Sequence, residues 1–410
     1  MPKKVAYTSE HNVYVEDLAT SKITQLTKDG TNRVINGTFD WVYEEEFDCR
    51  DGFRWSPDSK NIAYWQIDAR KIRNFLMINN TDSTYAFNVP VEYPKVGEDP
   101  SPYKLGVVSV NGGATKWIDF GTDTRQTYLP RAEWCGNNEL VMQQLNRKQN
   151  ESKLIYANAQ TGKTSVFYTE SDDAWIDIKS RWNDDPVGWD WINDGKEFLW
   201  VTEKDGWRHV YRVSRDGKQE KLITTGNYDV ITISLIDEKN NLIYFMASPD
   251  NATQSYLYKT KLDGTGSMER LSPAAQVGTH SYDISPNAAY ASHNFSNANT
   301  APISKWMSLK DNKDIGDVRS NPRRMPAFSS KVEFFKVKTS EGIELDGWMV
   351  KPANFDSTKK YPIVYMVYGE PASSTVRDSY GTGRNGLYNG DMAADGYINE
   401  QQDRKNLILV

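Results

Sequence analysis

The sequence predicts a mainly β chain: a β-propeller over residues 1–325, then, over 326–410, the first part of a second domain of α/β type. Three observations predict this. Hairpin units recur at a spacing near 48 residues. Aromatic residues are abundant, with 13 Trp, 23 Tyr and 14 Phe, while the apolar fraction is only 38%, a balance found in turn-rich β proteins more than in helical ones. After about residue 326 the repeat stops and a different strand pattern begins.

One half of each unit is an apolar strand with Tyr or Trp, a polar turn rich in Asp, Asn or Gly, and a second short strand. The copies run from Val13-Tyr14 to Ile23-Thr24, from Gly106 to Ile118, from Ile155-Tyr156 to Val166-Phe167, from Val210-Tyr211 to Leu222-Ile223 and from Leu257-Tyr258 to Arg270-Leu271, with a weaker one around Trp306. Anchors at 108, 156, 211, 258 and 306 are spaced by 48, 55, 47 and 48 residues. The other half repeats as well: Trp55–Tyr64 resembles Trp191–Trp200, and more loosely Ile236–Tyr244 and Ile284–Tyr290. Each is a strand, a Pro, Asp, Asn or Gly turn and a return strand. Four short strands at this period are the signature of a propeller blade. Blades bury their faces only against neighbours, so the Trp and Tyr stripes read as core and not as a ligand cage.

The anchors at 14 and 108 lie 94 residues apart, about two periods, and that interval holds Asp40-Trp-Val-Tyr-Glu-Glu-Glu-Phe47. The octet is therefore predicted on an insertion extending from a blade. Asp40 is placed to cap a short helical turn. Trp41, Tyr43 and Phe47 would hold that turn against a core and aim at least two of Glu44, Glu45 and Glu46 the same way. Paired carboxylates so held can grip an ammonium group. The plainer reading, a solvated acidic turn, is the commoner fate of a run of charges.

The bulk numbers exclude several classes. With 49 basic and 55 acidic residues the formal charge is −6, and without a basic stripe no nucleic-acid partner is expected. Cys49 and Cys135 are the only cysteines; they form no disulfide framework or zinc spacing and leave the redox compartment open. With no phosphate loop or dinucleotide fingerprint, no cofactor and no metal are expected. The start, Met-Pro-Lys-Lys, has no apolar core of a signal peptide, and the longest strongly apolar run, Tyr361–Tyr368, is too short to cross a bilayer. No compartment is assigned.

Beyond residue 326, Val332–Lys338 and Leu345–Pro352 alternate like paired antiparallel strands. Tyr361–Tyr368 reads as a strand buried on both faces, as in α/β sheets. A helix is expected around Tyr380–Asp395, with a start loosened by four glycines. Asn399–Val410 do not read as a further strand.

At this point the residues resemble a family. The octet, Arg54-Trp-Ser-Pro-Asp58, Tyr93-Pro-Lys95, Asp205-Gly-Trp-Arg-His-Val-Tyr211 and Tyr361-Pro…Val-Tyr368-Gly…Pro371 are similar to the dipeptidyl peptidase IV branch of the prolyl oligopeptidase family of serine peptidases. The match runs over roughly residues 3–397. The resemblance implies an eight-bladed propeller, about six blades of it present here, capping an α/β-hydrolase. It implies a serine-type dipeptidyl peptidase that acts on peptides with a free N-terminus and Pro or Ala second. Glu45 and Glu46 would bind the substrate α-ammonium and, by blocking a longer chain, set cleavage two residues from the end, with Glu44 structural. Tyr368 would donate to the tetrahedral oxyanion. Arg208 and His209 read as blade packing, and Arg181 and Trp182 as weak candidates to line the pocket. Full-length relatives are expected to be periplasmic or secreted and able to form a homodimer.

The chain departs from the family in several places. It has no Gly-x-Ser-x-Gly, and its histidines are His11, His209, His280 and His293, none after Tyr368, so no Ser…Asp…His triad can be completed. Up to two leading blades are expected to be missing, with a substrate-contacting arginine, and the second domain is expected to stop before the triad. Glu370 stands where relatives carry Gly. The 410 residues alone are expected not to hydrolyse peptides, and the unpaired edges of an open propeller to lower solubility. The competing expectation is a non-enzymatic propeller scaffold. The octet and the 361–368 strand speak for the peptidase, and the need to hold a free amine speaks against the oligopeptidase and acylaminoacyl branches.

Overall fold

The computed structural model describes residues 3–179, 186–318, 331–367, 375–384, 388 and 390–402. These fall into two compact units, residues 1–184 with 216–218, and residues 185–215 with 219–410.

The first unit opens with a three-stranded meander, β1 (Lys4–Ser9), β2 (Asn12–Asp17) and β3 (Lys22–Gln25). The next sheet is interrupted twice. Its strands are β4 (Val34–Asn36), β5 (Phe53–Trp55), β6 (Asn61–Asp68), β9 (Tyr103–Ser109) and β10 (Lys116–Trp117), and the hairpin β7 (Asn74–Asn79) and β8 (Phe87–Glu92) leaves it between β6 and β9. β4 and β5 both pair with β6, Asn36 opposite Gln66 and Phe53 opposite Tyr64. They are the two halves of one strand, with residues 37–52 inserted between them. A regular sheet follows: β11 (Thr127–Gly136), β12 (Glu139–Asn146), β13 (Glu151–Asn158) and β14 (Thr164–Ser171).

The second unit holds three more such sheets. They are β15 (Trp189–Ile192) to β18 (Glu220–Leu222) through β16 (Glu197–Thr202) and β17 (His209–Ser214); β19 (Val230–Asp237), β20 (Leu242–Ala247), β21 (Tyr256–Lys261) and β22 (Glu269–Arg270); and β23 (Thr279–Ile284), β24 (Tyr290–Asn297), β25 (Thr300–Ser308) and β26 (Lys313–Asp317). All pair antiparallel in chain order. Six blade-type sheets thus match the repeat. The second strands, such as β12, β16 and β20, are buried almost throughout; β20 packs Ile243 and Phe245 on one neighbouring sheet and Tyr244 and Met246 on the other. Within each unit the core runs between consecutive sheets, Ile62 and Tyr64 against Val13 and Val15, and Leu199 and Val210 against Ile243 and Phe245.

The last sheet differs. β27 (Val332–Lys338) and β28 (Glu344–Val350) form a hairpin, β30 (Ile398–Gln402) pairs antiparallel with β28, and β29 (Ile363–Val367) pairs parallel with β30 at the edge. The parallel pair is the α/β feature expected here, but three expectations need correction. β29 is not buried on both faces: Ile363, Tyr365 and Val367, which share one face, are exposed, because none of the described residues covers that face. Among the described residues of 380–395 there is no helix; they form turns, Thr382 N–H to Ser379 O and Gly396 N–H to Ala393 O among them, as glycine-rich chain favours. The polar Ile398–Gln402 is a strand between two others. Its side chains find partners: Trp348 Nε1–H donates to Gln401 Oε1 at 3.1 Å and Asn399 Nδ2–H to Gly383 O at 3.0 Å. Ladder pairing on both sides outweighs its weak β-propensity.

Candidate functional site

The octet folds as a single helix, α1 (Trp41–Glu46). Asp40 caps it, its Oδ1 accepting from Tyr43 N–H at 3.2 Å and satisfying one of the donors a helix start leaves free. The insertion carrying α1 is pinched shut at its base. Gly37 N–H donates to Trp65 O, Gly52 N–H to Gly37 O and Trp65 N–H to Gly52 O, each at 2.9 Å. A Cβ on Gly52 would stand 2.8 Å from the Gly37 carbonyl carbon, and Gly37 has φ +77°. The crossing therefore needs glycine at both positions.

β11 supplies the seat. Its pairing with β12 slips between Tyr128 and Arg131, a bulge at which Pro130, without an N–H, costs no ladder bond. The groups freed there are taken by the insertion and by β6. Leu129 N–H donates to Tyr43 Oη at 3.1 Å, Cys49 Sγ–H to Pro130 O at 3.4 Å and Trp65 Nε1–H to Leu129 O at 3.0 Å. Tyr43, 1% exposed, stacks on Phe39 at 5.3 Å and meets Phe47 edge-on at 5.4 Å. Burial pushes its phenol well above the usual range and the Cys49 thiol up to about 12, so both stay protonated donors or acceptors at neutral pH.

On this seat the three acids take different surroundings. Glu44 is half-buried; partial burial raises its carboxyl, opposed by the Arg50 guanidinium at 3.6 Å. Glu45 and Glu46 are exposed. Neighbours on a helix are turned by about 100°, so the two diverge. The Tyr128 phenol is raised first by burial, opposed by the Arg147 guanidinium and raised further by the charge of Glu46. The result is two exposed carboxylates at consecutive positions of a short, firmly seated helix.

Tyr368, Arg181, Trp182 and Glu370 lie outside the described residues. In the second unit, Arg208 donates to Val230 O at 2.6 Å and Ile231 O at 3.0 Å, while His209 Nδ1 and Tyr211 Oη both bond Asp205 Oδ2, at 2.9 and 2.8 Å. Arg208 thus ties β17 to β19 of the next sheet, while His209 and Tyr211 are engaged by the turn before their own strand. Sequence reasoning missed the Gly37–Gly52 pinch and the Leu129–Pro130 bulge. A glycine on either side of the octet, and a proline within the strand-like run Tyr128–Ala132, were the signals.

Residues 1–302 match the family model described as dipeptidyl peptidase IV N-terminal region. The chain is 25% identical over 398 residues to the protein named "Probable dipeptidyl peptidase 4" of Arthroderma benhamiae, covering 93% of this chain and 50% of that protein, and 25% identical over 394 residues to dipeptidyl peptidase 4 of Trichophyton equinum, covering 92% and 49%. It thus spans about half the length of these curated relatives. Its fold matches the crystal structure of Porphyromonas gingivalis dipeptidyl peptidase 4 with a TM-score of 0.84 and 28% identity, over 98% of this chain and 56% of that one. With the greater part of its length matched by that model, this chain belongs to the dipeptidyl peptidase IV family.

Proposed function

We propose that this chain supplies the substrate-anchoring part of a serine-type dipeptidyl peptidase, and that Glu45 and Glu46 bind the α-ammonium of a peptide with Pro or Ala second. The observation that carries this is the helix α1: six residues held by an N-cap, a glycine pinch and a bulged strand, presenting two adjacent carboxylates to solvent. A solvated acidic turn needs none of those three devices. The names of the relatives support the reaction class.

In the same reading residues 1–325 are the propeller and 326–410 the opening of the α/β-hydrolase domain. Its support is that the last blade-type sheet ends at Asp317 and the parallel pair β29–β30 comes only after it. Tyr368, one residue past the end of β29, is the proposed oxyanion donor in a complete enzyme; catalytic groups of open α/β sheets gather at the carboxyl ends of strands. The 410 residues carry no Gly-x-Ser-x-Gly and no histidine beyond His293, so bond cleavage is assigned to residues outside them.

The test is binding by the 410-residue chain of alanyl-proline amide and of its N-acetyl form. Preference for the free amine, lost in Glu45→Gln and Glu46→Gln, is expected. Each exposed carboxylate is expected to contribute about a fivefold factor. Equal binding of both forms by wild type would leave the scaffold reading. Release of nitroaniline from an alanyl-prolyl nitroanilide by the pure chain would overturn the assignment of cleavage.

A further inference from the structure

We propose that Tyr93, at the root of the β7–β8 hairpin, is a positioning residue for α1 and sets how firmly Glu45 holds an ammonium group; this rests on the amine-anchoring reading of Glu45 and Glu46. Trp41 and Glu45 stand four residues apart on α1 and so share one face. Helical side chains lean back over the preceding turn, which sets Glu45 on the Trp41 side of α1. The face carrying Tyr43 is fixed by β11, as described. Trp41 is only half-buried, and among the described residues the ring packed on it is that of Tyr93, centroid to centroid 4.2 Å at 50°.

Tyr93 is itself held. Phe75 of β7 lies against it at 5.8 Å, and its N–H donates to Arg73 O at 3.1 Å across the foot of the hairpin. Arg33, just ahead of β4, fastens that foot to the sheet. Its guanidinium donates to Ile72 O at 2.9 Å and to the Asn74 side chain, and pairs with Glu92 at 3.4 Å. Much of the hairpin is exposed, Phe75 at 49% and Ile78 at 73%, and among the described residues these contacts fasten its foot to the body of the unit. A rigid stack beside Glu45 removes rotamer freedom that binding would otherwise have to freeze. A supporting shell of this kind separates a firm site from a loose one.

Titration calorimetry of the 410-residue chain with alanyl-proline amide and its N-acetyl form tests this. Tyr93→Ala is expected to weaken free-amine binding about fivefold, the size of one aromatic pair, with binding of the acetylated form and the melting midpoint little changed. Tyr93→Phe, which keeps the ring and loses the hydroxyl, is expected to bind like wild type. Retention of the full free-amine preference in Tyr93→Ala, or an equal loss in Tyr93→Phe, overturns the proposal. If wild type shows no preference and Glu45→Gln changes nothing, the amine reading and this inference fall together. If Glu45→Gln weakens binding and Tyr93→Ala does not, only this inference falls.

Discussion

The Leu129 backbone N–H donates to the hydroxyl of Tyr43 at 3.1 Å, joining residues 86 positions apart. The bond exists because a bulge at Leu129–Pro130 turns that N–H out of the ladder and the turn of α1 brings a phenol to meet it. Removing the hydroxyl leaves a buried donor without a partner. Tyr43→Phe is expected to cost about 1–3 kcal/mol, read as a lower denaturant midpoint. It is also expected to weaken free-amine binding more than N-acetyl binding. An unchanged midpoint would show that the bond does not hold α1.

Asp40 is a cap made from a buried carboxylate. It is 5% exposed, and burial raises its carboxyl above the ordinary value. Burial therefore penalises the charge, and part of what capping gains is lost as pH rises from the unfolded Asp value through the folded one. Asparagine caps as well as aspartate. Asp40→Asn is expected to match or exceed wild-type stability at pH 7, with the difference closing as pH falls and Asp40 protonates. Asp40→Ala is expected to lose ~1 kcal/mol. Thermal melts of the three proteins at pH 7 and pH 4 decide it.

His280 and His293 form a buried neutral pair in the second unit. His280 Nε2–H donates to Gln276 O at 2.9 Å, so its Nδ1 accepts, and His293 Nε2–H donates to it at 2.8 Å. Tyr282 stacks on His293 at 4.4 Å and Phe295 packs on His280 at 4.9 Å. Both imidazoles are lowered to about 4, each chiefly by burial. Arg270 lowers His280 further; His280 lowers His293, while Asp314 acts the other way. A histidine with a depressed folded pKa gives stability that is present above pH 6.5 and lost as pH falls toward 4. The chain is expected to lose on the order of 2 kcal/mol by pH 5, and His293→Gln to flatten that slope. A melting midpoint constant from pH 7 to 4.5 would contradict the pairing.

The β7–β8 hairpin exposes Phe75, Leu76, Met77, Ile78 and Phe87 together. Exposed apolar side chains on both faces of one hairpin favour association. Because these side chains are already in water, Leu76→Lys with Ile78→Glu is expected to shift stability by no more than about 0.5 kcal/mol while reducing concentration-dependent light scattering. Scattering equal to wild type would place the sticky surface elsewhere.

The 48-residue spacing, the hairpin chemistry and the octet were legible because each is a local pattern: alternation, turn residues and capping act over a few positions. They gave six blade-type sheets, the insertion and the helix that Asp40 starts. The stretch beyond residue 326 was harder to read. The polar Ile398–Gln402 became a strand because β28 and β29 offer edges on both sides, and Ile363–Val367 is half-exposed because none of the described residues covers its outer face. Neither outcome is written in local composition, since β-propensity depends on who pairs and who covers.

The same division runs through the candidate site. The sequence by itself determined that three consecutive carboxylates follow a cap and are flanked by aromatic rings suited to burial. Only the tertiary structure decided which carboxylates stay exposed, because that depends on Arg50 reaching Glu44, on β11 bulging under Tyr43 and on Gly37 meeting Gly52 across the base of the insertion. Those contacts join residues far apart in sequence, and close packing between separate strands, not any propensity of the octet, fixes where its charges point.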